Sequence, residues 1–166
     1  MNLSHYTKEP LIEIRSTEQP GTVEGCGSQP KPFGLWLSVD GEDDWAAWCR
    51  SEDFNLAGLG RRYRIYLKPD ANILQLQSSA DIFSFTEKYD KPVDYGRHLG
   101  SRVGNYIDWE RLAQEYQGIV IAPYQWECRL HMQSNWYYSW DCASGCVWDA
   151  NAIDRFELSE EVNDAT

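Results

Sequence analysis

The sequence has no long hydrophobic run and few basic residues. No window approaches the roughly 18 consecutive apolar residues that a membrane-spanning helix needs, so we expect no membrane partner. Lysine and arginine number 15 against 26 acidic residues, which gives a formal net charge of -11. A surface that binds duplex nucleic acid normally gives its domain a basic excess. The charge balance therefore excludes broad nucleic-acid binding, and any contact with nucleic acid must be local.

The sequence also has no internal repeat, no low-complexity segment and no proline-rich linker. With 42% hydrophobic and 25% charged residues, it has the composition of a globular domain. We predict a single domain over residues 1–158 and an acidic tail over residues 159–166. Residues 1–5 lack the basic and apolar regions of a signal peptide, so we expect a cytoplasmic protein.

The five cysteines cannot all pair with one another, and a cytoplasmic location favours reduced thiols. Four residues have the side-chain types of a zinc site and the spacing C-x-x-H followed by C-x-x-x-C: Cys128, His131, Cys142 and Cys146. Structural zinc sites usually have closer C-x-x-C pairs, and small buried cysteines are common in protein cores. We therefore assign no metal and keep a small zinc protein as an alternative.

The pattern of apolar residues predicts an α+β fold with short strands and few, short helices. Strands are predicted at residues 3–7, 33–39, 63–68, 73–76, 118–122, 145–148 and 155–158. Helices are predicted to begin near residue 42, to follow a Ser79 cap as far as Tyr89, and to run from an Asp108 cap through Tyr116. Residues 10–14 are predicted to form a helical turn or a bend, and residues 16–32 and 91–105 to form loops.

Polar side chains lie at the ends of several predicted strands. His5, Tyr6 and Thr7 end the first strand, and Ser38 lies near the end of the second, where it also fits a turn cap. Gln125 and Glu127 follow the apolar strand at residues 118–122. If that strand continues, both side chains project to the same side and can bind a sugar hydroxyl. An ion pair between Glu127 and a neighbouring cation explains the same pattern.

The order of these segments resembles that of the ADP-ribosyltransferase superfamily, in its small bacterial and phage form. The resemblance begins with His5, Tyr6 and Thr7 and with residues 31–38, Lys-Pro-Phe-Gly-Leu-Trp-Leu-Ser. A tryptophan-containing helix, an alternating strand, the segment Tyr-Gln-Gly-Ile-Val-Ile at residues 116–121 and a later carboxylate follow. The resemblance covers most of residues 3–155 and consists of the order in which these short segments follow one another.

The resemblance implies a split, mostly antiparallel sheet with a few short helices that holds NAD as the substrate. It implies that His5 holds the NAD ribose, and that Ser38 with Tyr6 or Thr7 positions the nicotinamide side. The set of NAD-binding residues also includes Gly34 and Trp36.

The resemblance further implies a catalytic carboxylate on a later strand. Glu127, with Gln125 beside it, is one candidate, and Asp141, in the long aromatic segment that follows, is the other. The acceptor of ADP-ribose is expected to be a protein or a nucleic acid. The densest basic stretch consists of Arg61, Arg62, Arg64 and Lys68. Its charges suit the NAD pyrophosphate or an acceptor phosphate. A solvated strand edge explains the same residues.

Aromatic residues make up 14% of the chain, with 8 Trp, 10 Tyr and 5 Phe. Their large apolar area and polar edges suit ring-shaped ligands as well as core packing. A second interpretation follows from the aromatic segment 124–140. It favours a non-catalytic module that binds a protein partner through this segment.

Overall fold

The structure of the chain, a computed structural model, describes residues 1–19, 31–41, 43–90 and 107–161. Its strands are β1 (Leu3–Thr7), β2 (Leu35–Val39), β3 (Arg61–Leu67), β4 (Ile73–Leu76), β5 (Gly118–Ile121), β6 (Ser144–Val147) and β7 (Ile153–Glu161). They form one mixed sheet in the order β4-β5-β6-β2-β1-β3-β7. Strands β4 and β5 pair in parallel, and the other neighbouring strands pair antiparallel. The predicted α+β class is therefore confirmed.

The α-helices are α1 (Trp45–Ser51), α2 (Ser79–Tyr89) and α3 (Trp109–Glu115). Each begins after a side chain that accepts a hydrogen bond from a backbone N–H of the first turn: Asp44, Ser78 and Asp108. The cap of α2 lies one residue before the predicted Ser79. Short 3-10 helices cover Leu56–Leu59, Trp126–Cys128, Met132–Ser139 and Ala150–Ala152. No helix within the described ranges is long and apolar enough to cross a bilayer.

Other boundaries differ from the prediction. Residues 10–14 have no regular secondary structure. Strand β7 continues to Glu161, because Arg61 and Arg62 of β3 pair with Glu161 and Glu160. The first three residues of the predicted tail therefore belong to the sheet. The predicted loop at residues 91–105 lies outside the described residues, as does residue 20 to residue 30 of the predicted loop 16–32.

The sheet opens between β1 and β2. These strands pair at two positions, Leu3 with Val39 and Ser4 with Ser38. Beyond them, β1 continues along β3, while β2 continues along β6. The sheet therefore consists of a part β4-β5-β6-β2 and a part β1-β3-β7, joined at one end.

One face of the sheet is apolar on one side of this opening and polar on the other. Directly opposed residues of neighbouring antiparallel strands share a face. On this face, the first part carries Leu74, Ile119 and Cys146, which pack in a core with α2 and α3. The second part carries Arg62 and Arg64 on the same face. The boundary between the apolar and polar halves thus falls at β2 and β1.

Most of the aromatic side chains in the aromatic segment 124–140 belong to the core. Trp136 and Tyr137 are buried, and Trp140 is completely buried. The Trp136 indole packs against Phe85 of α2 and donates a hydrogen bond to Thr86 Oγ1 at 2.7 Å. This packing fixes the chain just before Asp141.

Gly34 lets the chain that enters β2 approach β6 closely. Its φ of +151° disfavours other residues, and an added Cβ would lie 2.5 Å from the Val147 carbonyl oxygen and 2.9 Å from Cys146 Sγ.

We expect Gly34→Ala to lower the free energy of unfolding by about 1–3 kcal/mol in urea titrations, because β6 is fixed between β5 and β2.

The matched control is Gly41→Ala, where an added Cβ meets no atom within 4 Å. We expect this variant to change the free energy of unfolding by less than about 0.5 kcal/mol. Equal stability of the two variants would contradict the close approach at Gly34.

Candidate functional site

A cavity of about 270 Å³ lies where β1 and β2 separate. This volume is near the lower end of the roughly 300–1,000 Å³ that ligand pockets occupy, so it suits a ring and a sugar better than a whole dinucleotide. Its described lining residues come from β1, β2, α1, the start of β6 and the chain segments next to these elements. They are Ser4, His5, Tyr6, Lys31, Trp36, Leu37, Ser38, Trp45, Asn55, Asp141 and Ser144.

His5 bridges the opening between the two strands. Its Nδ1 lies 2.8 Å from the backbone carbonyl oxygen of Trp36. A carbonyl oxygen can only accept, so Nδ1 carries the proton and Nε2 of the neutral ring presents a lone pair. Burial lowers the pKa of His5, and the hydrogen bond to Trp36 opposes this shift. The ring is therefore neutral near pH 7 and can accept a hydrogen bond from a ligand hydroxyl.

Asp141 is the carboxylate of the cavity. Its Oδ1 lies 3.5 Å from Arg129 Nη2, and its Oδ2 lies 3.8 Å from Lys31 Nζ. Both distances exceed the roughly 2.7–2.9 Å of a short charge-assisted hydrogen bond. The side chain is 23% exposed. Asp141 is thus an anion held loosely by two cations, and its oxygens retain the capacity to accept hydrogen bonds from a ligand.

Serine hydroxyls lie on the cavity floor, where β1, β2 and β6 are adjacent. Ser38 Oγ accepts a hydrogen bond from the Trp45 backbone N–H at 3.0 Å. It therefore ties β2 to the start of α1 instead of capping the turn at Asp40. Ser144 Oγ donates to the Cys142 carbonyl at 3.0 Å. Among the described hydrogen bonds, the Ser38 hydroxyl donates none, so its proton is available to a ligand.

Aromatic rings form the sides of the cavity. Trp36 contacts Trp140 edge to face at 4.9 Å between centroids, and Trp45 stacks on Trp48 at 5.1 Å. Burial raises the pKa of Tyr6, which keeps its phenol protonated at neutral pH. The walls thus offer flat apolar surfaces with one neutral hydroxyl, an arrangement that suits an aromatic ring.

The structure brings together many of the predicted site residues. His5, Tyr6, Trp36, Ser38 and Asp141 all line the same cavity. These positions lie far apart in the sequence and converge because β1, β2 and β6 are adjacent.

Two predicted NAD-binding residues lie outside the described lining. Thr7 Oγ1 donates to the Glu9 carbonyl at 3.0 Å, beyond the cavity. Gly34 packs against the β6 backbone, and its contribution is to the sheet geometry.

Gln125 and Glu127 also lie outside the described cavity lining. The strand does not continue as far as these residues, because β5 ends at Ile121 and the chain enters the 3-10 helix Trp126–Cys128. The Ser79 hydroxyl at the start of α2 contacts both side chains, with Gln125 Oε1 at 3.2 Å. The pair therefore joins the aromatic segment to α2.

The basic stretch of β3 is already paired with carboxylates of the chain. Arg61 lies 2.6 Å from Glu161, and Arg62 lies 2.8 Å from both Asp40 and Glu160. A second, longer contact joins Arg64 to Asp40 at 3.7 Å. These contacts account for the stretch as a neutralised strand surface, and none of its residues belongs to the described cavity lining.

The structure does not bring the four residues of the zinc alternative together as a metal-binding group. All of its proposed ligands are described, and the described ranges contain no group of three or more histidine, cysteine or acidic residues that could hold a metal. Burial raises the pKa of Cys142 to about 12, so its thiol is protonated in this structure.

The sequence interpretation missed several cavity residues. Ser4 and Ser144 flank Ser38 on neighbouring strands, a relation that only the strand pairing shows. Trp45 and Asn55 enter from α1 and the loop after it. Lys31 lies just before β2, in the segment 31–38 that carries the resemblance. Its positive charge is the sequence signal that could have marked it as a binding residue.

Comparisons of the chain with protein-family models, with curated proteins and with solved structures found no match. The cavity is therefore the structural feature that indicates a function. Its chemical inventory is a neutral imidazole, a loosely paired carboxylate, serine hydroxyls, one lysine and several aromatic rings.

The buried His5 ring makes stability depend on pH. Because its folded-state pKa is lowered, its neutral form contributes stability above its unfolded-state pKa, and this contribution is lost as the pH falls through the folded-state pKa. We expect wild-type protein to lose more unfolding free energy than His5→Asn between about pH 7 and about pH 5. The asparagine amide can still donate to the Trp36 carbonyl but does not titrate.

Urea titrations of both proteins at each pH measure this difference, and the titration of all other groups is common to the two. Parallel pH dependence in wild type and His5→Asn would show that the imidazole is not held in its neutral form.

Proposed function

We propose that the protein is an NAD-dependent ADP-ribosyltransferase that cleaves the nicotinamide–ribose bond and transfers ADP-ribose to a macromolecular acceptor. The observation that carries this proposal is the convergence of His5, Tyr6, Trp36, Ser38 and Asp141 on one cavity. The resemblance in segment order associates each of these positions with NAD chemistry. The order of segments does not include where these residues lie in space, so their convergence on one cavity supports the proposal independently of the resemblance.

The reaction places a specific demand on the site. When the bond between the ribose C1′ and the nicotinamide nitrogen breaks, its electron pair leaves with nicotinamide and positive charge develops on the ribose. A fixed carboxylate near the ribose stabilises this charge more in the transition state than in the ground state. The acceptor nucleophile then bonds to C1′ and loses its proton.

Asp141 meets this demand better than Glu127. It lies in the cavity with His5, and its oxygens are not saturated by short hydrogen bonds. Glu127 lies outside the described cavity lining, where it contacts the Ser79 hydroxyl. We therefore assign the catalytic carboxylate to Asp141.

The other cavity residues have matching tasks. The lone pair on His5 Nε2 can accept a hydrogen bond from a ribose hydroxyl, and the Ser38 hydroxyl can donate one. Trp36 and Trp45 provide apolar walls for the nicotinamide ring and limit the access of water. The cavity volume fits this half of NAD and leaves the adenosine half outside.

The matched pair Asp141→Asn and Glu127→Gln tests the assignment. We expect Asp141→Asn to lower the rate of nicotinamide release from labelled NAD by about 10²–10³, the usual loss when one charge stabiliser is removed. Glu127→Gln should retain the wild-type rate within about threefold, because its side chain is not part of the described cavity lining.

Thermal unfolding of both variants controls for folding. Wild-type protein that neither binds nor cleaves NAD would overturn the proposed function. Loss of activity in Glu127→Gln alone would reassign the carboxylate.

One observation favours the second candidate, a protein-binding module. Four large apolar side chains of the aromatic segment are exposed: Trp126, Leu130, Met132 and Tyr138. They lie within 13 residues of one another in the sequence, and contiguous patches of exposed apolar side chains commonly mark interaction surfaces. The buried Trp136 of the same segment belongs to the core, so it cannot report on partner binding.

If this second candidate is correct, Trp126→Ala should remove a partner that co-purifies with wild-type protein, because the 59% exposed indole loses its contact area. Phe33→Ala, which shortens an exposed aromatic elsewhere, is the control and should retain the partner. Affinity purification with quantitative mass spectrometry measures both. Equal retention by Trp126→Ala and Phe33→Ala would exclude a module that uses this surface.

A further inference from the structure

NAD has a negative charge on each phosphate of its pyrophosphate, and this chain has a net charge of -11. A phosphate group that approaches the cavity therefore requires a local cation. The arginines of β3 do not meet this need, because none of them lines the described cavity, and Arg61 and Arg62 are also paired with carboxylates. Among the described lining residues, Lys31 is the one lysine or arginine.

Lys31 is held by two weak contacts. Its Nζ lies 3.8 Å from Asp141 Oδ2 and 5.1 Å from the centroid of the Trp36 ring. The side chain is 38% exposed. An ion pair with this exposure shifts an equilibrium by about fivefold at most. The ammonium group, at the end of a flexible stem, can therefore be redirected by a stronger anion.

Asp141 retains a second cation when Lys31 turns away. Arg129 Nη2 lies 3.5 Å from Asp141 Oδ1, and the guanidinium also lies over the Tyr138 ring at 5.6 Å. Arg129 is outside the described cavity lining, so a ligand there has no direct access to it. The two carboxylate oxygens therefore differ: Oδ1 faces the more buried Arg129, and Oδ2 faces the more exposed Lys31.

We propose that Lys31 determines specificity for phosphate-bearing substrates by exchanging its ion pair with Asp141 for the NAD pyrophosphate. The exchange frees Asp141 Oδ2 to accept a hydrogen bond from the ribose, while Arg129 keeps Oδ1 in place. The substrate thereby releases the catalytic carboxylate from its resting contact. This proposal rests on the proposed function and adds to it a role for Lys31.

Two probes separate the phosphate contact from the rest of the site. NAD contains both the ring with its ribose and the pyrophosphate, whereas nicotinamide riboside contains the ring and ribose alone. Calorimetry should show that Lys31→Gln weakens NAD binding by about tenfold and changes nicotinamide riboside binding by less than about threefold, because only NAD loses a charge-assisted contact. Lys31→Arg should retain most of the NAD affinity.

Lys68→Gln is the matched control. It removes the same charge from an exposed lysine that does not line the described cavity. We expect it to leave both affinities unchanged within about twofold. Equal weakening of NAD binding in both variants would assign the effect to net charge and overturn the proposal.

A double-mutant cycle with inorganic pyrophosphate tests the exchange itself. If Asp141 competes for Lys31, Asp141→Asn should bind pyrophosphate up to about fivefold more tightly than wild type. In the Lys31→Gln background, the same Asp141→Asn change should have a smaller effect. An equal effect in both backgrounds would show that the two side chains are not coupled.

Failure of this proposal differs from failure of the proposed function. If wild-type protein binds neither NAD nor nicotinamide riboside, both fall. If it binds and cleaves NAD and Lys31→Gln binds NAD as tightly as wild type, the proposed function stands and the role of Lys31 is overturned.

Discussion

A single hydrogen bond spans the place where the sheet opens, from His5 Nδ1 to the Trp36 carbonyl at 2.8 Å. Strands β1 and β2 pair only at Leu3–Val39 and Ser4–Ser38 before they separate, and a cavity lies where they do. The contact satisfies the Trp36 carbonyl, fixes the imidazole tautomer and leaves Nε2 as a hydrogen-bond acceptor. The geometry of the opening therefore determines both where a ligand can bind and which hydrogen bonds it can make.

The electrostatics of the cavity differ from those of the whole chain. The overall charge of -11 gives no indication of the site, because the β3 arginines neutralise nearby acidic residues and leave the sheet surface balanced. Inside the cavity, Asp141 lies between Lys31 and Arg129 at distances of 3.8 and 3.5 Å. Both distances exceed those of short charge-assisted hydrogen bonds, so the carboxylate retains the capacity to accept hydrogen bonds from a ligand.

Local sequence patterns predicted the elements well and their long-range arrangement only in part. Apolar alternation and helix caps located most strands and helices, as at Asp108, because both signals act over a few residues. The pattern Gln125-x-Glu127 depends on a strand that continues past Ile121, whereas Pro123 is a local signal that the strand ends there. The choice of Asp141 depends on β6 lying beside β2, a contact that only the folded chain makes. Lys31 was missed for the same reason, since its distance to Asp141 is a tertiary property.

We propose above all that the cavity binds NAD with the nicotinamide ribose between His5 and Asp141. The most direct test is a crystal structure of the protein with NAD or a non-hydrolysable analogue. We expect the nicotinamide ribose within hydrogen-bond distance of Asp141 and His5 Nε2, with Lys31 turned to the pyrophosphate. A structure in which the ligand lies elsewhere, or in which its ribose contacts Glu127 instead of Asp141, would contradict this account.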